Sequence, residues 1–93
     1  MATSQADGYA DDLRDRVVAE IAAALDLDLA EVLPGCRLHD DYGCTVQDFV
    51  DLRAGLALAF SIVIPWQVVD TWKQVADVTA YIEGRMAPER ITG

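Results

Sequence analysis

Residues 43–47 read GCTVQ and put a thiol, a hydroxyl and a β-branched hydrocarbon in a row where a helix is predicted to begin. A thiol near a helix N-terminus can have a lowered pKa, so Cys44 could serve as a nucleophile or acyl acceptor. No catalytic partner for it is readable from the spacing. A single cysteine is also among the side chains most often buried. We expect Cys44 to pack, and keep a reactive thiol as the alternative.

The hydroxyl of Thr45 has two interpretations as well. It could carry a covalent group, although it is secondary and more hindered than the hydroxyl of serine. Asp48 follows three residues later, which imitates the spacing of a capping box at a helix N-terminus. We expect Thr45 to cap the helix, with covalent attachment as the alternative.

A metal site could be formed by Cys36, His39 and Cys44, together with Asp40 or Asp41. The two and four residues that separate the three soft ligands match no strong zinc pattern. A solvated acidic loop is the simpler interpretation, and we expect no metal.

Four helical segments and no strand are predicted around these residues. The first begins near Asp11 and carries an apolar stripe at helical spacing. That stripe consists of Leu13, Val17, Ile21 and Leu25. A long loop punctuated by Pro34 and Gly35 follows, and its apolar residues are expected to pin it to the core. These are Leu29, Val32, Leu33 and Leu38.

The second helix is predicted over residues 45–60 and the third over a turn or two after Pro65. The segment SIVI before Pro65 is β-branched but short, so we expect an extended connector. The fourth helix is predicted over 72–85, since Thr71 and Gln74 have capping-box spacing. Three longer helices, one short helix and a long first loop predict an all-α four-helix bundle.

Composition and charge limit the class of protein. The 93 residues, 53% hydrophobic and 25% charged, are enough for one core. Sixteen acids against seven bases give a net charge of -9, which disfavours nucleic acid and anionic membranes and favours basic protein surfaces. We expect a disordered tail over 1–10, a domain over 11–85 and a frayed tail over 86–93.

The termini and cysteines indicate the compartment. The N-terminus lacks the pattern of a signal peptide, and no apolar run is long enough to span a bilayer. Two cysteines are too few for a disulfide scaffold. We expect a cytoplasmic, monomeric protein with reduced thiols and no membrane partner.

The second half of the chain resembles an acyl carrier protein. The segment FSIVIPWQVVDTWKQVADVTAYIE is similar to that family's F-G-I-x-I-P, short third helix and V-x-D-x-x-x-Y-I. The residues in register without a gap are Phe60, Ile62, Ile64, Pro65, Val75, Asp77, Tyr81 and Ile82. Upstream, VLPGCRLHDDYG is similar to the family's first loop, with Tyr42 in place of a leucine. The resemblance covers about residues 11–84 and implies the family's bundle fold.

The same register exposes a departure from the family. Its x-D-S-L motif carries the serine that receives the 4′-phosphopantetheine arm, and here the aspartate, serine and leucine fall on Thr45, Val46 and Gln47. Valine has no oxygen for a phosphodiester. A one-residue slip without a gap would displace Phe60 and Pro65 from their places. The resemblance therefore implies no phosphopantetheine cofactor unless Thr45 substitutes for the serine.

Two aromatic residues bear on the cleft in which this family shelters an acyl chain. Phe49 falls where the family often has threonine, and Trp72 falls where it has an aliphatic residue. The two rings could fill the cleft, or they could repack an ordinary core. Both interpretations stay open.

The docking face that the family uses is altered too. The resemblance implies contact with basic enzyme patches through acids of the second helix, which here are Asp48 and Asp51. Gln47, Leu58 and Trp66 are further candidates for a partner surface.

Three functions are considered. The first is a non-catalytic carrier-like protein, without phosphopantetheine, that binds carrier-recognising enzymes of lipid or polyketide and other natural-product biosynthesis. The second is a working acyl carrier with its arm on Thr45. The third is thiol chemistry at Cys44, for which no supporting residue is identified.

Overall fold

The computed structural model describes residues 4–86, with side chains from residue 12 onward. It contains four α-helices: α1 (Ser4–Leu25), α2 (Val46–Phe60), α3 (Trp66–Val69) and α4 (Val75–Met86). A single 3-10 turn, Leu29–Glu31, lies in the first loop. Within residues 4–86 no strand is present, and the one β-bridge joins Arg37 to Gln74. The predicted all-α four-helix bundle is confirmed.

The start of α1 differs from the prediction. The helix begins at Ser4 rather than near Asp11, so residues 4–10, which the sequence predicts to be part of a disordered tail, belong to it. No proline precedes Pro34, and acidic residues favour the positive end of the helix dipole. Residues 1–3 and, apart from Met86, the predicted frayed tail lie outside the described residues. The domain limits otherwise stay a prediction.

The core lies between α1, α2 and α4. Each helix contributes an apolar stripe of fully buried side chains, represented by Val17, Ile21, Leu52, Leu56, Val78 and Ile82. The first loop adds Leu38 and Val32, as predicted, whereas Leu29 and Leu33 are 61% and 53% exposed. The prediction that these two leucines pin the loop is wrong, since no residue of the 3-10 turn is buried and Leu33, two residues after it, is exposed as well.

The start of α4 is set by a residue inside the helix. The side chain of Asp77 accepts hydrogen bonds of 2.9 Å from the backbone N–H groups of Lys73 and Gln74. The hydroxyl of Thr71 instead donates to the carbonyl of Val68 at 2.6 Å. The predicted Thr71–Gln74 capping box is therefore wrong, and α4 begins at Val75.

Arginines tie the helices together at the surface. Arg14 of α1 forms a 3.1 Å ion pair with Glu83 of α4. Arg16 donates to the carbonyl of Ala59 at 3.0 Å, near the C-terminus of α2.

Within the described residues, no helix has the length and apolar character required to cross a membrane.

Candidate functional site

A tight turn before α2 presents the GCTVQ residues. Gly43 has a φ of +65°, a conformation that glycine adopts without steric cost. Its N–H donates to the carbonyl of His39, and that of Cys44 donates to the carbonyl of Leu38, both at 3.0 Å. As a result Cys44 is buried, while Thr45 and Val46 face solvent.

Thr45 is the N-cap of α2, as predicted. Its hydroxyl accepts from the N–H of Asp48 at 3.2 Å, and the Asp48 carboxylate accepts from the N–H of Thr45 at 2.9 Å. These two bonds form a complete capping box. The side-chain oxygen of Thr45 is thus committed to the helix terminus.

Cys44 packs in the core and is 4% exposed. Burial, with a smaller contribution from the charge of Asp48, raises the pKa of the thiol to about 11. The thiol is therefore protonated near neutral pH, whereas a nucleophilic cysteine needs the thiolate. A reactive role for Cys44 stays an untested prediction with no electrostatic support.

Val46 is the first residue of α2 and is 80% exposed. This is the position where the resemblance puts the attachment serine. Its side chain reaches solvent but offers only carbon atoms. An aliphatic residue at such an exposed place contributes little to the core.

The acidic loop does not assemble a metal centre. His39 is exposed, with Nδ1 3.1 Å from a carboxylate oxygen of Asp40. Asp41 accepts a 2.6 Å bond from the N–H of Arg37, and this contact lowers the pKa of Asp41. Cys36 is half-buried and Cys44 is buried. Among the described residues, no three His, Cys, Asp or Glu side chains are grouped to hold a metal ion.

Tyr42, which stands in place of the family's leucine, secures this loop. Its hydroxyl donates to the carbonyl of Glu31 at 2.5 Å and accepts from the N–H of Leu33 at 3.3 Å. Burial, together with a hydrogen bond to Cys36, raises the pKa of Tyr42 to about 12. The phenol therefore stays protonated and holds the 3-10 turn against the loop.

A groove of about 570 Å³ lies beside Val46, between the start of α2, α3 and the segment before α4. Its apolar lining is Val46, Phe49, Trp66, Val69 and Trp72. Trp72 is buried in the core and Phe49 is half-buried. The two rings therefore pack as core residues without filling the groove.

The candidate partner residues occupy the exposed surface of α2 and α3. Gln47 and Asp51 lie one turn apart and are joined by a 3.0 Å hydrogen bond. Leu58 is 83% exposed and Trp66 is 42% exposed. Asp48 is half-buried, because its carboxylate is used in the cap.

Two features of this region were missed by sequence reasoning. The guanidinium of Arg53 lies 4.7 Å from the ring centroid of Trp66. Arg37 and Lys73 both line the groove because the bridge between Arg37 and Gln74 joins two distant segments. Neither pairing has a local spacing signal, since both depend on contacts between different elements.

Comparison with known proteins identifies the family. No family model matches the chain. The acyl carrier protein of Helicobacter hepaticus is 38% identical over 72 residues, covering 77% of this chain and 95% of the relative. That of Helicobacter pylori is 35% identical over 71 residues, covering 76% and 91%. The helix order agrees with the resemblance, and the two relatives are matched over most of their length. The chain therefore belongs to the acyl carrier protein family.

Proposed function

We propose that this chain is a non-catalytic member of the family that carries no 4′-phosphopantetheine and acts by binding carrier-recognising enzymes of a biosynthetic pathway. The observation that carries the proposal is the side chain of Val46, 80% exposed at the first residue of α2. A phosphodiester needs a side-chain oxygen at that place, and valine supplies none. Both relatives are named acyl carrier proteins, which supports a role that is not catalytic.

Attachment at Thr45 is the alternative, and its capping bonds disfavour it. The hydroxyl accepts the N–H of Asp48 while the carboxylate of Asp48 accepts the N–H of Thr45. A phosphodiester on that hydroxyl would put a second negative charge beside Asp48, whose carboxylate belongs to the same cap. Loss of an N-cap costs a helix about 1 kcal/mol.

The partner surface that we propose consists of Gln47, Asp48, Asp51, Leu58 and Trp66. The net charge of -9 attracts a basic partner over a distance. Leu58 and Trp66 add exposed apolar area that such a partner would bury. Pairing of Gln47 with Asp51 holds both side chains on one face of α2.

The first test is incubation with coenzyme A and a broad-range phosphopantetheinyl transferase, followed by intact mass measurement. We expect no adduct on the natural chain or on Val46→Ala, and one adduct on Val46→Ser. An adduct on the natural chain would overturn the proposal. Peptide mapping would then report whether Thr45 carries it, which is the outcome expected of a working carrier.

The second test is affinity capture from the native cytosol with matched baits. We expect recovery of carrier-recognising enzymes by the natural chain and a loss of recovery with Asp51→Lys or Leu58→Ser. Asp15→Lys is the control, because it makes the same charge change at an exposed position of α1. Equal loss with Asp15→Lys, or no such enzyme in any eluate, would contradict the proposed surface.

A further inference from the structure

Arginine side chains from two helices hold the connector between α2 and α3, residues 61–65. The connector is neither helix nor strand. Nε of Arg53, on α2, donates to the carbonyl of Ile64 at 2.6 Å. Nη1 of Arg85, on α4, donates to the carbonyl of Val63 at 2.9 Å. Two neighbouring backbone oxygens are therefore satisfied by side chains of two different helices.

Both arginines also stack on aromatic rings. The guanidinium of Arg53 lies 4.7 Å from the ring centroid of Trp66, the first residue of α3. That of Arg85 lies 5.7 Å from the ring centroid of Tyr81 and donates to its hydroxyl at 2.6 Å. Within the described residues neither guanidinium forms a salt bridge. Each arginine is thus positioned by a carbonyl and a ring rather than by a carboxylate.

The connector and α3 bury few side chains. Of residues 61–71, only Ile64 and Val69 are buried. The helix α3 has four residues, too few to be stable in isolation. Segments with few buried side chains open at a lower free energy than the core of a protein does. Residues 61–71, the connector–α3 segment, are therefore expected to open before the core.

The two ends of the connector–α3 segment lie at fixed points of the bundle. Ser61 is the C-cap of α2, with a left-handed φ of +55°, and its N–H donates to the carbonyl of Ala57. Trp72, which follows the segment, is 4% exposed. Hinges are a few residues at the ends of elements that absorb changes in φ and ψ. A motion between these two points leaves the longer helices in place.

We propose that the connector–α3 segment opens as a unit while α1, α2 and α4 stay folded, and that Arg53 and Arg85 stabilise its closed position. Opening breaks both carbonyl bonds and separates Arg53 from Trp66, so each arginine raises the free energy of opening. Because Trp66 and Val69 line the groove beside Val46, this motion changes the width of the groove. The inference needs neither a partner enzyme nor an attached group, so it goes beyond the proposed function and fails separately from it.

The test is native-state amide hydrogen exchange of the ¹⁵N-labelled full chain, measured by NMR at increasing urea concentrations below the unfolding transition. The amides of Asp70 and Thr71 report opening, since they donate within the segment at 3.0 and 2.9 Å. Those of the buried residues Leu52 and Leu56 report the core. We expect the segment amides to exchange faster and with a smaller dependence on urea, because local opening exposes less surface than global unfolding does.

Substitution of either arginine tests its role in the closed position. Arg53→Met should accelerate exchange at Asp70 and Thr71 about tenfold, because it removes a carbonyl bond and a ring contact of the segment. Arg85→Met should accelerate it about threefold, because it removes only a carbonyl bond of the segment. Core amides should accelerate as well, since global unfolding breaks the same contacts, so controls outside the segment are required.

Two variants supply these controls. Arg14→Met makes the same charge change at an arginine that is paired with Glu83. Thr45→Ala removes the capping hydroxyl of α2. Both contacts persist when the segment opens. These variants should therefore leave exchange at Asp70 and Thr71 unchanged, even where they accelerate exchange in the core.

Three outcomes would overturn the proposal. The first is an equal urea dependence of the segment amides and the core amides, which the natural chain alone decides. The second is unchanged exchange at Asp70 and Thr71 in Arg53→Met or Arg85→Met. The third is acceleration at these two amides by either control as large as that by Arg53→Met. The circular dichroism spectrum of each variant establishes that it is folded.

Discussion

Thr45 and Asp48 exchange two hydrogen bonds across the first turn of α2, one from each backbone N–H to the other's side chain, at 2.9 and 3.2 Å. The pair closes the helix terminus one residue before Val46. The hydroxyl nearest to the family's attachment position is thereby used for structure.

Thr45→Ala should lower the free energy of unfolding by about 1 kcal/mol, because the N–H of Asp48 loses its acceptor. Thr45→Ser should retain most of the stability, since it keeps the oxygen. Urea denaturation followed by circular dichroism measures both. Equal stability of the natural chain and Thr45→Ala would contradict the role of the cap.

Gly43→Ala should destabilise the fold by about 1 kcal/mol, because an L-residue with a side chain resists a positive φ. Gly43 has a φ of +65°, and no atom lies within 4 Å of an added Cβ, so strain rather than collision is the cause. Gly35→Ala is the matched control, as Gly35 has the same free space without the positive φ. Denaturation midpoints that change equally in both variants would refute this.

Cys44 should make the stability depend on pH in the alkaline range. Its pKa is raised from 9.0 to about 11 in the folded chain by burial, so the unfolded thiol loses its proton first. The contribution of Cys44 is therefore complete below pH 9 and declines as the pH rises toward 11. Between pH 9 and 10 the free energy of unfolding should fall more steeply for the natural chain than for Cys44→Ala.

The same burial predicts slow alkylation of Cys44. At pH 7.5, iodoacetamide should modify it far more slowly than a free cysteine, since the thiolate is the reactive form. Peptide mapping after timed alkylation separates it from the half-buried Cys36. Fast modification of Cys44 in the folded chain would instead support the thiol-chemistry alternative.

Asp77 should contribute to stability against acid. Hydrogen bonds from the backbone of Gln74 and Lys73 lower its pKa below the ordinary 3.8. Its contribution is complete above the unfolded pKa and is lost as the pH falls through the lowered one. Asp77→Asn should thus reduce stability at pH 7 and flatten the acid limb, and Asp70→Asn, which makes the same charge change without removing such a bond, is the matched control. Thermal unfolding between pH 2 and 7 provides the measurement.

Much of the fold follows from local patterns. The apolar spacing of α1 and the cap at Thr45 are predicted because each depends on residues a few positions apart. The start of α4 that is predicted from the spacing of Thr71 and Gln74 is wrong. That end of the helix is capped instead by Asp77, whose carboxylate accepts hydrogen bonds from the backbone N–H groups of Lys73 and Gln74.

The site divides in the same way. The register that places Val46 at the attachment position, and the lack of an oxygen there, are properties of the sequence alone, since covalent composition does not depend on folding. The sequence also places Phe49 and Trp72 near the cleft, but it does not distinguish rings that fill the cleft from rings that pack in an ordinary core. The structure places Trp72 in the core and leaves a groove beside both rings.

The sequence by itself determined the helical order, the family register and the missing hydroxyl at Val46, because these depend on neighbouring residues and on covalent chemistry. Only the tertiary structure decided that Cys44 is buried, that Arg53 stacks on Trp66 and that Lys73 lies beside Arg37. Burial and contacts between distant segments arise from packing of whole elements, and no local spacing encodes them.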